Sequence, residues 1–571
     1  MLHDAVRPDM IPCNLAKEEM NILAMNDERQ YSRLDSGFAR FLGERCQLSG
    51  DDKTRFAAIV LELSAQQAAG HSCLALQADE VDLVIISGLA SADELTPLIV
   101  EQNRLYLHRY WLYEQRLAQQ LARLVNQHYQ PGKQDELLAR YFPERDADFD
   151  WQKAAARSAL NQGLTIISGG PGTGKTTTVV KILALLLETS DQPLQMALAA
   201  PTGKAAMRLQ ESIAENKTDL PCLQGIKDSV PEKVSTIHRL LGSKMFSPYF
   251  KHNADNPLPY DVLVIDESSM VDLALMSKLV DAIKPNARLI LLGDKDQLAS
   301  VESGAVLADL TQALPQQTVE LVKSYRFQGE IKALADAINT QQAEAAWQLL
   351  NQSEAGVSLL TTDPVAYIVR HYLDYLQLLA NGAEFPVIFT AFNRFRVLCA
   401  NQHGPNSIAD INQRVERALA ERRLISLTTQ WYLGRPVMIS ANDPALQLYN
   451  GDIGICLADP ESSGQLRVFF LRGDGSIKKL LPARLINCET VYAMTIHKSQ
   501  GSEYDAVLVM LPEKVNPVLS KELLYTAITR ARKQVSVVAE RTVFLAAISR
   551  KVQRHSGLAE KLQKLIGNPC A

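Results

Sequence analysis

The chain has 571 residues, 47% hydrophobic and 22% charged, the make-up of an ordinary globular protein with room for about three or four domains. This excludes a disordered, collagen-like or small disulfide-stapled chain, and a net charge of −5 supplies no general argument for binding nucleic acid or membrane. The charge is uneven, however: residues 1–150 carry 15 basic and 24 acidic side chains, and the remainder carries 44 and 40. The eight cysteines show no C-x-x-C pair of the kind that binds zinc or forms a redox dithiol, so they read as reduced thiols. No apolar stretch of signal-peptide length occurs in the first twenty residues and no later run is long enough to span a bilayer. A soluble cytoplasmic protein is expected.

Residues 1 to about 125 read as mainly helical, with an apolar stretch VDLVIISGLA (81–90) and an aromatic segment RLYLHRYWLYEQRL (104–117). His108, Trp111 and Tyr113 in that segment suit a base-stacking platform, but their spacing fits two faces of a buried helix or strand better. An acidic region without a catalytic constellation, joined to a larger body, is most economically a partner-docking domain. From about 150 the texture becomes strand, loop and helix in alternation: LTIISGG, MALAAPTGKAA, DVLVIDESSM and RLILLGD each lead toward a helical segment, the pattern of a parallel sheet covered by helices. A second such region starts near 320, with strands expected in PVIFTAF (386–392), TVYAMTIH (490–497) and YDAVLVML (504–511). Residues 425–488 change to short strands with turn signals (YNGDIG, GDGS), as in a small antiparallel module inserted into the second sheet. The expected domains are therefore 1–125, 126–318 and 319–571, the last carrying the β insertion.

The chemistry begins at GGPGTGKTTT (169–178). Gly169, Gly174, Lys175 and Thr176 satisfy the phosphate-loop pattern, and the loop lies between an apolar strand and a helix, the context the pattern requires. Gly169, Gly170, Pro171, Gly172, Thr173 and Gly174 form the loop whose backbone N–H groups converge on phosphate, with Thr177 behind them. Lys175 neutralises phosphate charge and Thr176 is a ligand for Mg²⁺. DVLVIDESSM runs a strand into Asp266 and Glu267, two carboxylates that are costly there unless they face a cation or a reacting group. Asp266 is the expected second Mg²⁺ ligand and Glu267 the group that polarises the attacking water. LILLGDKDQLASV places Asp294 and Gln297 at another strand end, where Gln297 suits sensing of the γ-phosphate. Gln152 in DWQKAAA is a candidate reader of the adenine edge. Arg326 in KSYRF and Arg530 in LLYTAITRAR are candidate arginine fingers from the second sheet; a lone arginine is usually a solvated surface group, so the case for both rests on the whole constellation.

The ordered set of phosphate loop, APTGKAA, STIHRLLG, DESSM, LLGDKDQLASV, SYR, TIHKSQGSEYD and YTAITRAR resembles the superfamily 1 helicases over about 390 residues. DESSM, the YNGDIG module and the chain length are most similar to the RecD branch, the alpha subunits of exonuclease V (RecBCD). The resemblance implies two RecA-like motor domains, an SH3-like β module and a mainly helical N-terminal domain. It also implies an ATP- and Mg²⁺-dependent 5′ to 3′ motor on single-stranded DNA. Such a motor is one subunit of a heterotrimer with the beta and gamma subunits RecB and RecC, and that complex unwinds and degrades DNA from double-strand ends and so initiates recombinational repair. The family's DNA-facing positions fall on Thr202, Lys204, Thr236, His238, Thr495, His497 and Lys498. No carboxylate-rich nuclease region remains outside the motor, so DNA hydrolysis is expected on a partner chain. Residues 243–259, with Phe246, Tyr249 and Phe250, read as a short strand-separating hairpin or as a surface loop anchored by buried aromatics. Two alternatives stay open for the whole chain: a solitary RecD-like helicase, and a nucleotide-switched scaffold that does not translocate.

Overall fold

The computed structural model describes residues 31–567 apart from 93–94, 131, 133, 144–149, 245–246, 325–328, 353–355, 444 and 473–474. Arg326 and Phe246 therefore lie outside the described residues.

The N-terminal part is not purely helical. Helices Arg33–Gly43, Gly50–Ala68 and Ala78–Ile86 surround a four-stranded sheet of β1 (Leu74–Ala75), β2 (Ala90–Ser91), β3 (Leu98–Glu101) and β4 (Arg104–Leu107), in the order β1-β4-β3-β2. The first helix opens with a capping box in which Ser32 and Asp35 satisfy each other's backbone donors. VDLVIISGLA supplies the end of the third helix and then β2. The aromatic segment splits at His108: β4 precedes it, and helix His108–Val125 follows. That helix buries Leu117, Leu121 and Leu124 in the core of the first α/β body. Trp111 Nε1 donates to Glu101 Oε2 at 3.0 Å, and Lys278 lies over the Tyr113 ring. These contacts are those of a packed aromatic face.

The first α/β body is a six-stranded parallel sheet. Its strands are β5 (Leu164–Gly169), β6 (Met196–Ala200), β7 (Val234–Thr236), β8 (Val262–Ile265), β9 (Arg288–Gly293) and β10 (Thr318–Leu321), in the order β10-β5-β9-β8-β6-β7. β5 and β8 are buried along their whole length, which is why LTIISG and VLVI lack the polar alternation of half-exposed strands. β10 completes this sheet beside β5, so the chain leaves the first body after Leu321. The order puts β5, β9 and β8 side by side. All three carboxyl ends then open on one edge, the usual ligand edge of a doubly wound sheet.

The second body is a five-stranded parallel sheet of β11 (Val357–Leu359), β12 (Phe395–Cys399), β18 (Ala493–Thr495), β19 (Tyr504–Met510) and β20 (Ala531–Val538), ordered β11-β20-β19-β12-β18. One expectation fails here: PVIFTAF is a helix, Phe385–Phe392, and the strand is the following FRVLC. Pro386 in the first turn suits a helix start, and Phe385, Ile388, Ala391 and Phe392 bury one helical face. A short apolar run does not declare its period. Between β12 and β18 comes a five-stranded antiparallel sheet of β13 (Pro436–Ile439), β14 (Ile453–Asp459), β15 (Gln465–Leu471), β16 (Ile477–Leu480) and β17 (Cys488–Thr490), ordered β16-β15-β14-β13-β17. It encloses its own small core of Val437, Ile439, Cys456, Val468 and Phe470, as the turn signals implied.

Candidate nucleotide site and nucleic-acid interface

β5 delivers the phosphate loop. Gly172 and Gly174 take φ of 78° and 81°, backbone conformations that side chains with a Cβ disfavour, and helix Lys175–Thr189 starts directly behind them. Lys175 folds over its own loop, its Nζ 2.5 Å from the Gly169 carbonyl oxygen and 3.0 Å from that of Gly170. Thr173 donates to the Gly170 carbonyl at 2.9 Å. Thr177 donates to Asn216 at 2.8 Å, which turns its hydroxyl toward helix Gly203–Lys217 and leaves Thr176 as the half-buried hydroxyl at the loop exit. Gln152 Nε2 donates to the Thr173 carbonyl at 3.3 Å, so this amide is attached to the loop.

β8 delivers Asp266 and Glu267. Glu267 stands at φ 50°, a left-handed conformation that costs a residue with a side chain about 1 kcal/mol or more and is typical of functional sites. Its N–H is held by Asp266 Oδ1 at 2.9 Å. Burial first, and then the neighbouring Glu267 charge, push the Asp266 carboxyl up, while Lys175 and Arg208 pull it down. One carboxylate, that of Asp266, with the Thr176 hydroxyl at the loop exit is a donor set suited to Mg²⁺, which takes few protein ligands and keeps water and phosphate for the rest. Among the described residues no group of three or more His, Cys, Asp or Glu side chains is placed to hold a metal ion.

β9 delivers Asp294 and Gln297, and here the two bodies meet. Gln297 Nε2 donates to Asp294 Oδ2 at 3.1 Å, and Gln297 Oε1 accepts from Arg530 Nη2 at 2.7 Å. Arg530 also donates to the carbonyls of Ser502 at 3.3 Å and Thr526 at 3.0 Å. Burial lowers the pKa of its guanidinium, against the attraction of Glu267. Tyr525 donates to Asp294 Oδ2 at 3.1 Å, and a Cβ on Gly170 would stand 2.9 Å from that phenol oxygen. The Leu298 N–H donates to Thr526 Oγ1 at 2.9 Å. One turn of helix Lys521–Ile528, with Arg530 just past its end, thus lies across the phosphate loop and the end of β9.

The candidate DNA-facing residues fall into two sets. Thr202 and Thr236 cap helices Gly203–Lys217 and Ile237–Leu241, accepting from Ala205 N at 3.2 Å and Arg239 N at 3.3 Å. Lys204 is lowered by burial. His238 is also lowered by burial, and its ring lies 5.7 Å from that of Phe250. From the second body, Thr495 Oγ1 accepts from Lys498 N at 3.2 Å, and Lys498 Nζ pairs with Glu489 at 2.6 Å. Burial and Arg554 lower His497. Burial would raise the Tyr504 phenol, yet Lys204 and Arg396 bring it down to about 8, which sets a first-body lysine beside a second-body strand. Arg239 also reaches the antiparallel module, donating to the Tyr449 hydroxyl with its guanidinium 5.1 Å from that ring. In the 243–259 segment Ser243 pairs with Phe250 and Asn253 with Asn256. Phe250 packs on the first-body core, while Tyr249 is 71% exposed.

A model of an AAA domain matches residues 152–303, and one of a UvrD-like helicase C-terminal domain matches residues 490–538. The RecBCD enzyme subunit RecD of Mycolicibacterium smegmatis is 43% identical over 80% of this chain and 82% of its own. That of Haemophilus influenzae is 35% identical over 83% and 82%. The chain belongs to the RecD family of ATP-dependent DNA helicases. The RecD2 helicase of Deinococcus radiodurans is 31% identical over 81% of this chain but only 59% of that one. Among solved structures, Bacteroides Pif1 bound to ssDNA aligns with 70% of this chain at 18% identity and a TM-score of 0.40. No helix of the described residues is long and apolar enough to cross a membrane.

Within this RecD-family chain the motifs mark the strand-end residues but not the residues that contact them. Tyr525 and Thr526 lie inside YTAITRAR, from which only Arg530 was singled out. Arg208, four residues beyond Lys204, carries no motif signal of its own.

Proposed function

We propose that the chain is a 5′ to 3′ translocase on single-stranded DNA, acting as one subunit of a RecBCD-type helicase and nuclease complex beside RecB and RecC. The observation that carries this reading is the Arg530–Gln297 hydrogen bond. It ties a buried arginine of one sheet to the strand end beside the phosphate loop of the other, as a motor requires if hydrolysis is to move its two bodies.

In this reading Gly169 to Gly174, Lys175 and Thr177 cradle the phosphates, and Gln152 steadies the loop on the adenine side. Thr176 and Asp266 hold Mg²⁺, which when bound neutralises charge on the phosphate oxygens. Glu267 accepts the proton of the attacking water. Gln297 and Arg530 act together as the γ-phosphate sensor, and Arg326 supplies the other finger. Thr202, Lys204, Thr236 and His238 from one body and Thr495, His497 and Lys498 from the other contact phosphates alternately, without sequence preference. The β13–β17 module is the SH3-like clamp. Residues 243–259 are the strand-separating hairpin, with Tyr249 as its exposed aromatic. Leu34, Ile86 and Leu95 on the N-terminal part are 78%, 64% and 90% exposed, which supports partner docking there. DNA hydrolysis belongs to a partner chain.

Strand displacement on duplexes tailed only at the 5′ end or only at the 3′ end, with ATP and Mg²⁺, tests the reading. Activity confined to the 5′-tailed substrate and lost in Lys175→Gln is the expected result. Displacement of the 3′-tailed substrate alone reverses the polarity. ATP hydrolysis unaffected by single-stranded DNA would favour a nucleotide-switched scaffold.

A further inference from the structure

The loop Gln500–Glu503 joins the DNA-facing run Thr495–Lys498 to β19, and its backbone is held from both bodies. Gln500 Nε2 donates to the Leu298 carbonyl at 3.0 Å, next to the sensor Gln297. Arg208 Nη1 donates to the Gly501 carbonyl at 2.6 Å. Arg530 Nη1 donates to the next carbonyl, that of Ser502, at 3.3 Å. Glu503 then faces two arginines, Arg208 of the first body at 3.6 Å and Arg532 of the second at 3.1 Å. Gly501 takes φ 67°, and a Cβ there would lie 3.6 Å from Ala205 Cβ. The turn therefore packs on the same helix, Gly203–Lys217, that starts at the DNA-facing Thr202 and Lys204.

Consecutive carbonyls of one loop are thus taken by an arginine from each body, and one of these is the arginine bonded to the γ-phosphate sensor. Arg208 is 32% and Glu503 13% exposed. A solvated surface pair at 3.6 Å contributes little by itself. A 2.6 Å bond from a guanidinium to the backbone carbonyl of the buried Gly501 is of another kind, charge-assisted and directional.

We infer that Arg208 is a positioning residue for DNA-stimulated ATP hydrolysis: by holding the Gly501 carbonyl and Glu503 against helix Gly203–Lys217, it seats the loop that Arg530 must grip to reach Gln297. Strand contacts at Thr202 and Lys204 and at Thr495 to Lys498 then favour the same closed arrangement, because Arg208 ties their supporting elements together. Arg208 touches neither nucleotide nor reacting atoms in this account; its charge also reaches Asp266 with or without DNA, so the DNA-dependent part of its effect is the one exerted through Arg530. The inference rests on the translocase reading given above.

The test is steady-state ATP hydrolysis by the full chain with and without a poly-dT oligonucleotide, for the wild type, Arg208→Ala, Arg208→Lys and Glu503→Gln. Loss of one charge-assisted bond at this position is expected to lower the DNA-stimulated kcat about tenfold or more in Arg208→Ala. The rate without DNA falls by a much smaller factor, and KM for ATP is unchanged, since the phosphate loop is untouched. Arg208→Lys, which keeps the charge and one donor, recovers part of the stimulation, and Glu503→Gln loses part of it. Basal and stimulated rates falling by the same factor, or stimulation unchanged in Arg208→Ala, overturns the inference. If Arg208→Ala does not fold, the other two variants decide by the same ratio. A wild type that DNA does not stimulate removes the translocase reading and the Arg208 role with it, whereas a stimulated wild type with an indifferent Arg208→Ala removes only the role.

Discussion

Replacing Arg530 by lysine keeps the charge and removes the fork. Arg530 is 3% exposed, and its three nitrogens serve three acceptors on two bodies: Thr526 and Ser502 carbonyls and Gln297 Oε1. A lysine ammonium has the donors but not the planar spread, so it can hold the near side of this set and not the far side. The bond to Gln297 is the shortest of the three and the one that crosses between the sheets. Losing it and the Ser502 bond, at about 1.5 to 2 kcal/mol each for bonds to a charged group, amounts to about 3 to 4 kcal/mol. If that energy is expressed only in the closed arrangement, kcat falls by about 10² to 10³, with KM for ATP nearly unchanged because the phosphate loop is intact. ATP titrations at saturating single-stranded DNA read both constants. A rise in KM at constant kcat would show that Arg530 contributes uniform binding, and a kcat within about threefold of wild type would refute the sensor bridge itself.

Lys175→Gln removes the only charge of the phosphate loop and should abolish ATP hydrolysis while leaving the folded chain intact; loss of cooperative thermal unfolding would contradict that separation. Asp309 tests pH linkage away from the site. Burial raises its carboxyl to about 7, with Ser556 and Arg554 opposing and Glu114 reinforcing the shift. The folded chain therefore retains a proton that the unfolded chain has released, and stability declines as pH rises from about 4 to 7. Asp309→Asn should stabilise by about 4 kcal/mol at pH 8 and by nothing near pH 4, and urea unfolding showing the same difference at both values would refute the charge argument. Tyr249→Ala should leave single-strand-stimulated ATP hydrolysis unchanged and slow strand displacement several-fold; equal displacement rates would reduce residues 243–259 to a surface loop.

What was legible in the sequence was whatever a strand end forces. Asp266 and Asp294 come at the ends of apolar strands, with Glu267 and Gln297 just beyond them, and polar groups at the end of a buried strand need a purpose, so their place on the sheet edge could be read without a fold. The phosphate loop was legible because Gly172 and Gly174 adopt backbone angles few other residues tolerate. PVIFTAF was misread because a run of seven residues, all but Thr390 apolar, fits either period, and only Pro386 in the first turn favours helix. The small N-terminal sheet escaped notice because two of its four strands are two residues long. Arg208 and Tyr525 were invisible for a different reason. Each acquires its role from residues 293 and 231 positions away, and nothing local marks an arginine on an amphipathic helix or a tyrosine in a buried one.

The chain path limits the motion available to the two bodies. It crosses from first to second once after β10 and returns after helix Arg541–Ser549, and the return is anchored on both sides within a few residues. On the second-body side the Arg550 carbonyl accepts from Lys521 N at 2.9 Å, and Val552 N donates to Glu522 at 3.1 Å. On the first-body side Arg554 donates to the carbonyls of Ser300 at 2.6 Å and of Glu302 and Gly304 at 2.9 Å. Ser72, Ser556, Gly557 N and Lys561 converge on the buried Glu114 carboxylate. Helix Leu558–Gly567 then buries Leu558 and Leu562 in the first-body core. Only Gln553 lies between the two anchored sets, and one residue spans at most about 3.6 Å. The bodies therefore cannot separate at this crossing without breaking these hydrogen bonds, and the Ser300–Gly304 loop that receives Arg554 begins six residues beyond Asp294, so the crossing is held to the same strand end that Arg530 reaches through Gln297.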